Sequence, residues 1–174
     1  VKKVDGKNPK LEALLESVLD LDDNVKVIIW ARFRPEIDTI AHHLRDMYNP
    51  DYEEDVVIEY HGGISERERN ESIVRFQDMN NPARFFVANQ QTAGMGLTLT
   101  AATYAYYYSN SFSLEQRMQS EDRNHRKGQE SKCTYIDIVC REKADTMIIK
   151  ALQNKQSLSE YVSQELERKN VRYN

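Results

Sequence analysis

Glycine is scarce in this sequence, and the positions of the glycines exclude one large class of nucleotide site. Six glycines occur among 174 residues, at positions 6, 62, 63, 94, 96 and 128. None of them fits the G-x-x-x-x-G-K-[ST] spacing of a phosphate-binding P-loop. No Asp-Glu dipeptide follows a predicted strand, so an obvious magnesium-holding acidic motif is missing as well. The sequence by itself therefore offers no recognisable means of binding a nucleoside triphosphate.

Long apolar runs, excess positive charge and a cysteine pair fit for bridging are also missing. No run is long enough to span a bilayer and we find no signal peptide, so we expect no membrane contact. The formal net charge is −4, which excludes a polycationic surface but permits a local basic groove for nucleic acid. Cys133 and Cys140 fall in one predicted strand, where alternation places them on opposite faces and prevents a disulfide bond. Reduced thiols are typical of an intracellular protein.

The remaining composition favours one well-packed domain, with 40% hydrophobic and 30% charged residues. Short β-branched runs alternate with segments of helical periodicity, which predicts an α/β fold with a mostly parallel sheet and helices on both faces. In such a sheet, ligands bind at the carboxyl ends of the strands. The predicted strands cover 25–31, 56–61, 84–90, 103–109 and 133–140. The predicted helices cover 11–19, 34–48, 66–77 and 114–126, and the tail 142–169 is helical in pattern.

The stretch QSEDRNHRKGQ, residues 119–129, concentrates charge at the end of one predicted helix. Gln119, Arg123 and Arg126 stand at i, i+4 and i+7, which places them on one helix face. Guanidinium groups match phosphate oxygens and act as arginine fingers in phosphoryl transfer. The alternative is a solvated helix whose arginines pair with neighbouring acids such as Glu121 or Glu130.

The same stretch resembles the last motif of the Snf-type (SWI/SNF-like) ATPases, superfamily-two motors with two RecA-like lobes. The family pattern is Gln-x-x-x-Arg-x-His-Arg-x-Gly-Gln, and every fixed position is present here. Three further segments are similar to family motifs in the same order: VIIWARFRPEIDTIAHHL at 27–44, YHGGISERERNESIVRFQ at 60–77 and TAGMGLTLTAA at 92–102. The resemblance covers nearly the whole chain.

The resemblance implies a RecA-like, P-loop-NTPase-type sandwich in which residues 1–174 form the helicase C-terminal (second RecA-like) domain. Residues 142–174 are then a C-terminal helical extension packed on that domain. The P-loop and the acidic motif would belong to an N-terminal lobe absent from this sequence. ATP with Mg²⁺ would lie between the lobes, bound mainly by that N-terminal lobe, so this chain alone is expected to be inactive.

The resemblance also assigns roles to individual residues. Arg123 and Arg126 would reach the β- and γ-phosphates, with Gln119 orienting this network, and Gly94 and Gly96 would permit close approach of the nucleotide or the facing lobe. The residues implied to contact the DNA backbone are Arg32, Gly62, Gly63, Thr92 and Phe112. The alternatives are an ordinary turn for each of the glycines, a surface charge for Arg32, and a core or rim aromatic for Phe112.

Two departures from the family pattern bear on substrate and source. Thr98 stands where the family usually has asparagine, and FSL (112–114) replaces the family's Trp-Asn-Pro. The form YYYSNSFSLEQRMQSEDR (106–123) looks more like bacterial and phage members than like eukaryotic chromatin remodellers. The implied partners are double-stranded DNA and the N-terminal lobe of the same protein. The implied state is a monomer in the cytoplasm, or in the host cytoplasm if phage-encoded, associated with the nucleoid when on DNA.

Two functions are carried forward from the sequence. The first is the C-terminal lobe of a DNA-dependent ATPase and translocase, and the alternative is a stand-alone, non-catalytic module that binds DNA or protein with the same fold. A metal site is not predicted. His42 and His43 are adjacent on a helix and point apart, and His61 and His125 have no cysteine partner at ligand spacing.

Overall fold

The structure, a computed structural model, contains one sheet in which every neighbouring pair of strands is parallel. It describes residues 8–49, 51, 54–92, 96–111, 113–140, 143–154, 160, 161 and 163. Across these residues the strand order is β2-β3-β1-β4-β5. The strands are β1 (Lys26–Trp30), β2 (Val57–Tyr60), β3 (Phe85–Ala88), β4 (Ala102–Tyr107) and β5 (Thr134–Asp137). The helices are α1 (Pro9–Leu19), α2 (Arg34–Tyr48), α3 (Glu66–Gln77), α4 (Leu114–Glu121) and α5 (Lys143–Gln153).

The central strand β1 explains why helices cover both faces of the sheet. All five of its residues are buried, and a strand buried on both faces is hydrophobic throughout rather than alternating. Val27 and Ile29 belong to one core cluster, whereas Ile28 and Trp30 belong to the other. The predicted α/β architecture with a parallel sheet is therefore confirmed.

Helices α1 and α2 cover the first face. Their buried residues recur at helical spacing, which gives each helix one apolar stripe toward the sheet. These residues are Leu11, Leu14 and Val18 of α1 with Ile37, Ile40, Ala41 and Leu44 of α2. Full burial of each large aliphatic side chain contributes about 1.5–3 kcal/mol, so this core holds α1 and α2 firmly against the sheet.

Helix α3 covers the second face and begins as its sequence predicts. The Ser65 side chain accepts a hydrogen bond from the Glu68 N–H, and the Glu68 carboxylate accepts one from the Ser65 N–H. This reciprocal capping box satisfies two otherwise unpaired donors. Hydrogen bonds from the Ser65 side chain and backbone to the Glu68 carboxylate lower the pKa of Glu68. Phe76 of α3 packs against Phe86 of β3 with ring centroids 5.1 Å apart.

Two buried cations fasten the amino-terminal edge of the sheet. Lys26 Nζ donates to the carbonyl oxygens of Asp78 and Ala83 at 2.7 and 2.8 Å, just beyond the carboxyl end of α3. Burial lowers the pKa of Lys26. Arg84 Nε donates to the carbonyl of Val25 at 3.1 Å and its Nη1 pairs with Asp23 at 3.1 Å. Buried charges need partners of this kind, so this edge is a fixed base opposite the carboxyl-end loops.

A buried arginine ties α4 to the end of β5. The Arg117 side chain is 10% exposed and its two terminal nitrogens donate to the Asp137 carboxylate at 2.5 and 3.1 Å. Its Nε donates to Glu121 at 2.6 Å, and its guanidinium carbon lies 3.3 Å from the centroid of the Tyr107 ring. Burial opposes the charge, but the hydrogen bonds to Asp137 and Glu121 and the charges of Asp137 and Tyr107 together outweigh it and raise the pKa of Arg117.

Side chains hydrogen-bond to the outer backbone groups of β2, which is an edge strand of the sheet. The Val57 N–H donates to Asp55 Oδ1 at 3.1 Å, and the Val57 carbonyl accepts from Arg45 Nη2 at 3.2 Å. Arg45 also pairs with Asp55 and with Glu59. Both backbone groups that Val57 presents away from β3 are therefore satisfied.

Each strand is shorter than its sequence pattern predicts, and the difference falls at the ends. Strand β5 covers four residues where the pattern predicts eight, 133–140. Cys133 and Cys140 therefore flank this strand, and both are free cysteines, as expected. Helix α5 confirms part of the predicted helical tail, and its Ile148 and Ala151 are buried. The extension over 142–174 as a whole stays a prediction.

Candidate functional site

The predicted site residues lie at one edge of the sheet, where the parallel strands end. Arg32 follows β1, Gly62 and Gly63 follow β2, and Thr92 follows β3. In open parallel sheets this edge is where ligands bind. Gly94 and Phe112 lie outside the described residues, so their predicted roles stay predictions.

Helix α4 is shorter than predicted, which corrects the arrangement of the arginines. The prediction extends it to Arg126, but it ends at Glu121, with Asp122 as its C-cap. Gln119 is therefore on the helix, whereas Arg123 and Arg126 lie beyond it, so the three do not share one helix face. Ser, Asp and Asn side chains compete with helical hydrogen bonds, and Ser120, Asp122 and Asn124 surround the point where the helix ends.

Residues 122–129, here called the arginine turn, fold back against the segment that precedes β4. The Leu99 N–H donates to the Arg123 carbonyl at 2.8 Å, and the Gln129 N–H donates to the Arg126 carbonyl at 2.9 Å. Asn124 is fully buried. Gly128 has φ +104°, a conformation that side chains with Cβ rarely adopt. The turn is thus fixed by backbone bonds at several points and needs glycine at position 128.

Arg126 is exposed and contacts the loop before β4. Its Nη1 donates to the Gly96 carbonyl at 3.2 Å and to Thr98 Oγ1 at 3.1 Å. Thr98, the residue that departs from the family pattern, therefore does supply a side-chain contact. Gly96 has φ +72°, which explains a glycine here by backbone conformation. A close approach of nucleotide to Gly96 stays a prediction.

Arg123 is half-buried and lies close enough to Arg126 for their charges to interact. Burial lowers the pKa of Arg123, and the positive charge of Arg126 lowers it further. Within the described part of the chain, the Arg123 Nε is buried without a hydrogen-bond partner. Two guanidiniums that repel each other, one with an unpaired donor, suit an anion with several oxygens.

Gln119 bonds within its own helix. Its Nε2 donates to Glu115 Oε1 at 3.0 Å. The structure records no hydrogen bond from Gln119 to either arginine among the described residues. Its predicted part in orienting the arginines stays a prediction.

The segment after β1 is fastened to the segments after β3 and β4. The Arg32 N–H donates to Ser109 Oγ at 2.7 Å, and Ser109 Oγ donates to Glu36 Oε2 at 2.5 Å. The Asn89 side chain donates to the Arg32 carbonyl. The Arg32 guanidinium carbon lies 5.0 Å from the centroid of the Phe33 ring. The backbone of Arg32 is thus held in place by the segments that follow β3 and β4.

The two glycines after β2 differ in the space that a side chain would have at each position. The Gly63 N–H donates to His61 Nδ1 at 3.0 Å, and a Cβ at position 63 would lie 3.0 Å from Arg34 Nη1. At Gly62 a Cβ would meet nothing within 4 Å. A side chain at 63 would therefore crowd the Arg34 and His61 side chains, whereas a side chain at 62 would meet open space.

Three side chains of types that bind metals lie close together at this edge, although one of them is distant in the sequence from the other two and they were not predicted to meet. Ligand atoms of Asp38, Glu59 and His61 lie within 4.8 Å of one another. Glu59 is paired with Arg45 at 2.6 Å, and Asp38 lies 3.9 Å from Arg34. His61 Nδ1 already accepts the Gly63 N–H, which leaves its other ring nitrogen as the proton carrier in the neutral form. We interpret the cluster as an ion-pair network.

The comparison with known families identifies the family of this chain. The sequence pattern of the family described as helicase conserved C-terminal domain matches residues 9–128, which is more than half of the chain. The chain belongs to this family. The predicted resemblance to SWI/SNF-like helicases is confirmed, whereas closeness to bacterial or phage members stays a prediction.

Curated relatives of this helicase C-terminal domain are DNA repair and helicase proteins. The DNA repair protein RAD5 of Eremothecium gossypii is 25% identical over 160 residues, which is 90% of this chain and 15% of the relative. The ATP-dependent helicase FUN30 of Saccharomyces cerevisiae is 25% identical over 167 residues, 95% of this chain and 14% of the relative. The ATP-dependent DNA helicase DDM1 of Arabidopsis thaliana is 25% identical over 157 residues, 90% and 20%. The domain thus spans a fifth or less of these proteins.

Solved structures confirm the RecA-like fold. The crystal structure of the C-terminal part of the Fun30 ATPase domain matches with a TM-score of 0.72 at 21% identity, covering 83% of this chain and 45% of that one. The DUF1998 helicase MrfA bound to DNA and AMPPNP matches with a TM-score of 0.69 at 17% identity, covering 88% and 21%. In the described part of the domain, the helices are too short or too polar to cross a membrane.

Proposed function

We propose that this domain is the second RecA-like lobe of a DNA-dependent ATPase and translocase. It supplies Arg123 and Arg126 to ATP held by an N-terminal P-loop lobe of the same protein, and it contacts the backbone of double-stranded DNA. The protein acts as a monomer in the cytoplasm, or in the host cytoplasm if phage-encoded, and is nucleoid-associated on DNA.

The observation that carries this proposal is the pair of adjacent guanidiniums on the arginine turn. Their mutual repulsion favours a polyanionic ligand at this point, and so does the Arg123 Nε, which is buried without a hydrogen-bond partner among the described residues. A triphosphate carries several charged oxygens, and Arg donors aimed at developing charge stabilise a transition state. The residues present therefore fit the phosphate end of ATP, while Mg²⁺ would be held by the triphosphate and the P-loop lobe.

The DNA side of the proposal rests on the strand-end segments. Arg32, Gly63 and Thr92 follow three adjacent strands at one edge, and the Arg32 backbone is held by Ser109 and Asn89. Contacts from such positions to phosphates fix orientation without reading base sequence. We therefore propose phosphate contacts at this edge.

The purified domain alone is expected to show no ATP hydrolysis, because its sequence has no P-loop. Phosphate release is measured with and without duplex DNA, and the full-length protein that contains this domain is the positive control in the same assay. Turnover by the domain alone would contradict a split site. A natural reading frame without an upstream P-loop lobe would instead support the non-catalytic binding module.

Replacing Arg32 by alanine is expected to weaken duplex binding by the full-length protein for every DNA sequence tested. Loss of one phosphate contact also reduces the slope of log K against log salt by about 1. Fluorescence anisotropy at several salt concentrations measures both. The matched control is Arg75→Ala, which removes an exposed arginine from the far end of α3. Equal losses for Arg32→Ala and Arg75→Ala would assign the effect to net charge alone.

A further inference from the structure

We propose that Gln129 is a positioning residue that fastens the arginine turn to the segment before β4 and so fixes where Arg123 and Arg126 stand. This inference rests on the proposed function. The sequence pattern includes Gln129 only as the last fixed position of its motif and gives it no role of its own.

The contacts of Gln129 converge on carbonyl groups from two parts of the chain. Its Nε2 lies 2.9 Å from the Thr100 carbonyl oxygen, 3.3 Å from that of Ala102 and 3.2 Å from that of Asn124. A primary amide carries two N–H donors, so both are engaged and one of them is shared between two of the three carbonyl oxygens. The Gln129 Oε1 in turn accepts the Ser131 N–H at 3.0 Å, which holds the side chain in this orientation.

These bonds close a ring that contains both arginines. On one side of the ring, the Leu99 N–H bonds the Arg123 carbonyl. On the other, the Gln129 amide bonds Thr100 and Ala102, the latter being the first residue of β4. Arg126 lies between and reaches Gly96 and Thr98. The contacts of Gln129 with Thr100 and Ala102 therefore fix the position of the arginine turn relative to the sheet.

The chemistry of this position calls for a donor. A carboxylate at 129 would set negative charge against three carbonyl oxygens. An apolar side chain would remove the hydrogen bonds that Gln129 gives them, which costs free energy for each acceptor that is buried and left without another donor. An arginine side chain, by contrast, has several donors and can bond the same oxygens. At position 129, the hydrogen-bonding capacity of the side chain, and not only its volume, is thus expected to determine where the arginine turn lies.

Displacement of the turn is expected to act on turnover more than on ATP binding. A misplacement of about 1 Å in a catalytic group costs up to roughly 100-fold in rate. Interactions made only in the transition state change kcat and leave KM in place. The expected signature of a positioning role is therefore a fall in kcat with little change in the KM for ATP.

The test compares Gln129→Met, Gln129→Glu and Gln129→Arg in the full-length protein. DNA-stimulated ATP hydrolysis gives kcat and KM, and thermal unfolding gives Tm. We expect Gln129→Met and Gln129→Glu to lower kcat roughly 10- to 100-fold with KM for ATP within about threefold of wild type. Gln129→Arg, which keeps the donors, is expected to recover most of kcat.

Gln77 provides a matched control from the same segment. Its Nε2 donates to Thr100 Oγ1 at 3.0 Å and its Oε1 accepts the Ala101 N–H at 2.9 Å. It therefore holds 100–101 from α3, and among the described residues its hydrogen bonds do not reach the arginine turn. Gln77→Met is expected to lower Tm as much as Gln129→Met does, with a much smaller loss of kcat.

The outcomes separate this inference from the function on which it rests. Equal kcat losses for Gln77→Met and Gln129→Met would overturn the positioning role and leave a structural one. Gln129→Met and Gln129→Glu could fail to fold, in which case Gln129→Arg decides. This variant keeps the donors, so a folded Gln129→Arg protein that loses kcat 10-fold or more also overturns the positioning role. Arg126→Ala in the same assay tests the proposed function: full activity there refutes the arginine fingers, whatever Gln129 does.

Discussion

Replacing Arg126 by alanine in the full-length protein is expected to lower DNA-stimulated ATP turnover roughly a thousandfold while ATP still binds. Among the described residues, the hydrogen bonds of Arg126 use Nη1, toward Gly96 and Thr98. The remaining guanidinium donors are then available to phosphate oxygens, whose charge grows in the transition state. Single-turnover hydrolysis and nucleotide-binding titrations measure the two effects separately.

Lys127 is the matched control for Arg126. It is the next residue of the arginine turn and is exposed, so Lys127→Ala removes one positive charge from the same surface. We expect at most about a twofold change in turnover, because exposed charges away from the reacting groups contribute little. Unchanged turnover in Arg126→Ala would return the arginine turn to a solvated surface feature.

Replacing Arg117 by methionine is expected to destabilise the domain by about 3 kcal/mol, at the lower end of the range for breaking a buried ion pair. The change removes the two hydrogen bonds that Arg117 gives the Asp137 carboxylate, which keeps the one from Asn110 Nδ2, and it removes the guanidinium from the Tyr107 ring. The Asp137 side chain is 24% exposed, so water offsets part of the loss. Urea denaturation of the wild-type and variant domains measures the free energy of unfolding.

Two comparisons sharpen the Arg117 prediction. Arg67→Ala breaks an exposed pair with Glu71 on α3, where the Arg67 side chain is 87% exposed, and is expected to cost no more than about 0.5 kcal/mol. The double variant Arg117→Met with Asp137→Leu is expected to lose less than the sum of the single losses, since neither charge is left alone. A loss below about 1 kcal/mol for Arg117→Met would show that the pair is not coupled to folding.

The elements that could be predicted from sequence are those specified by local patterns. The β-branched runs around Ile28 and Ile58 predicted their strands, and the Ser65–Glu68 pair predicted the start of α3. Helix faces and capping depend on neighbours within a few residues. The alternation of strands with helices then predicted a parallel sheet, and hence the edge at which Arg32 and Gly63 lie.

The end of α4 could not be predicted in this way. Periodicity continues through Arg126, but the carbonyl of Arg123 bonds the N–H of Leu99, a partner 24 residues away in the chain. Long-range pairing of this kind is invisible to local patterns and overrides helix propensity. The position of Gln129 was missed for the same reason, because its partners Thr100 and Ala102 are distant in sequence. The glycine before it, at 128, was the available sign of a turn.

The side chains on the outer edge of β2 have a consequence for handling this domain apart from any other lobe. Unpaired backbone groups on a terminal strand recruit strands from other molecules and so seed aggregation. At Val57 both such groups are already taken by Asp55 and Arg45, and a foreign strand would have to displace a charged pair to add there. We therefore expect this edge to resist the addition of strands from other molecules at Val57. The separate domain should then aggregate less through β2 when it is purified.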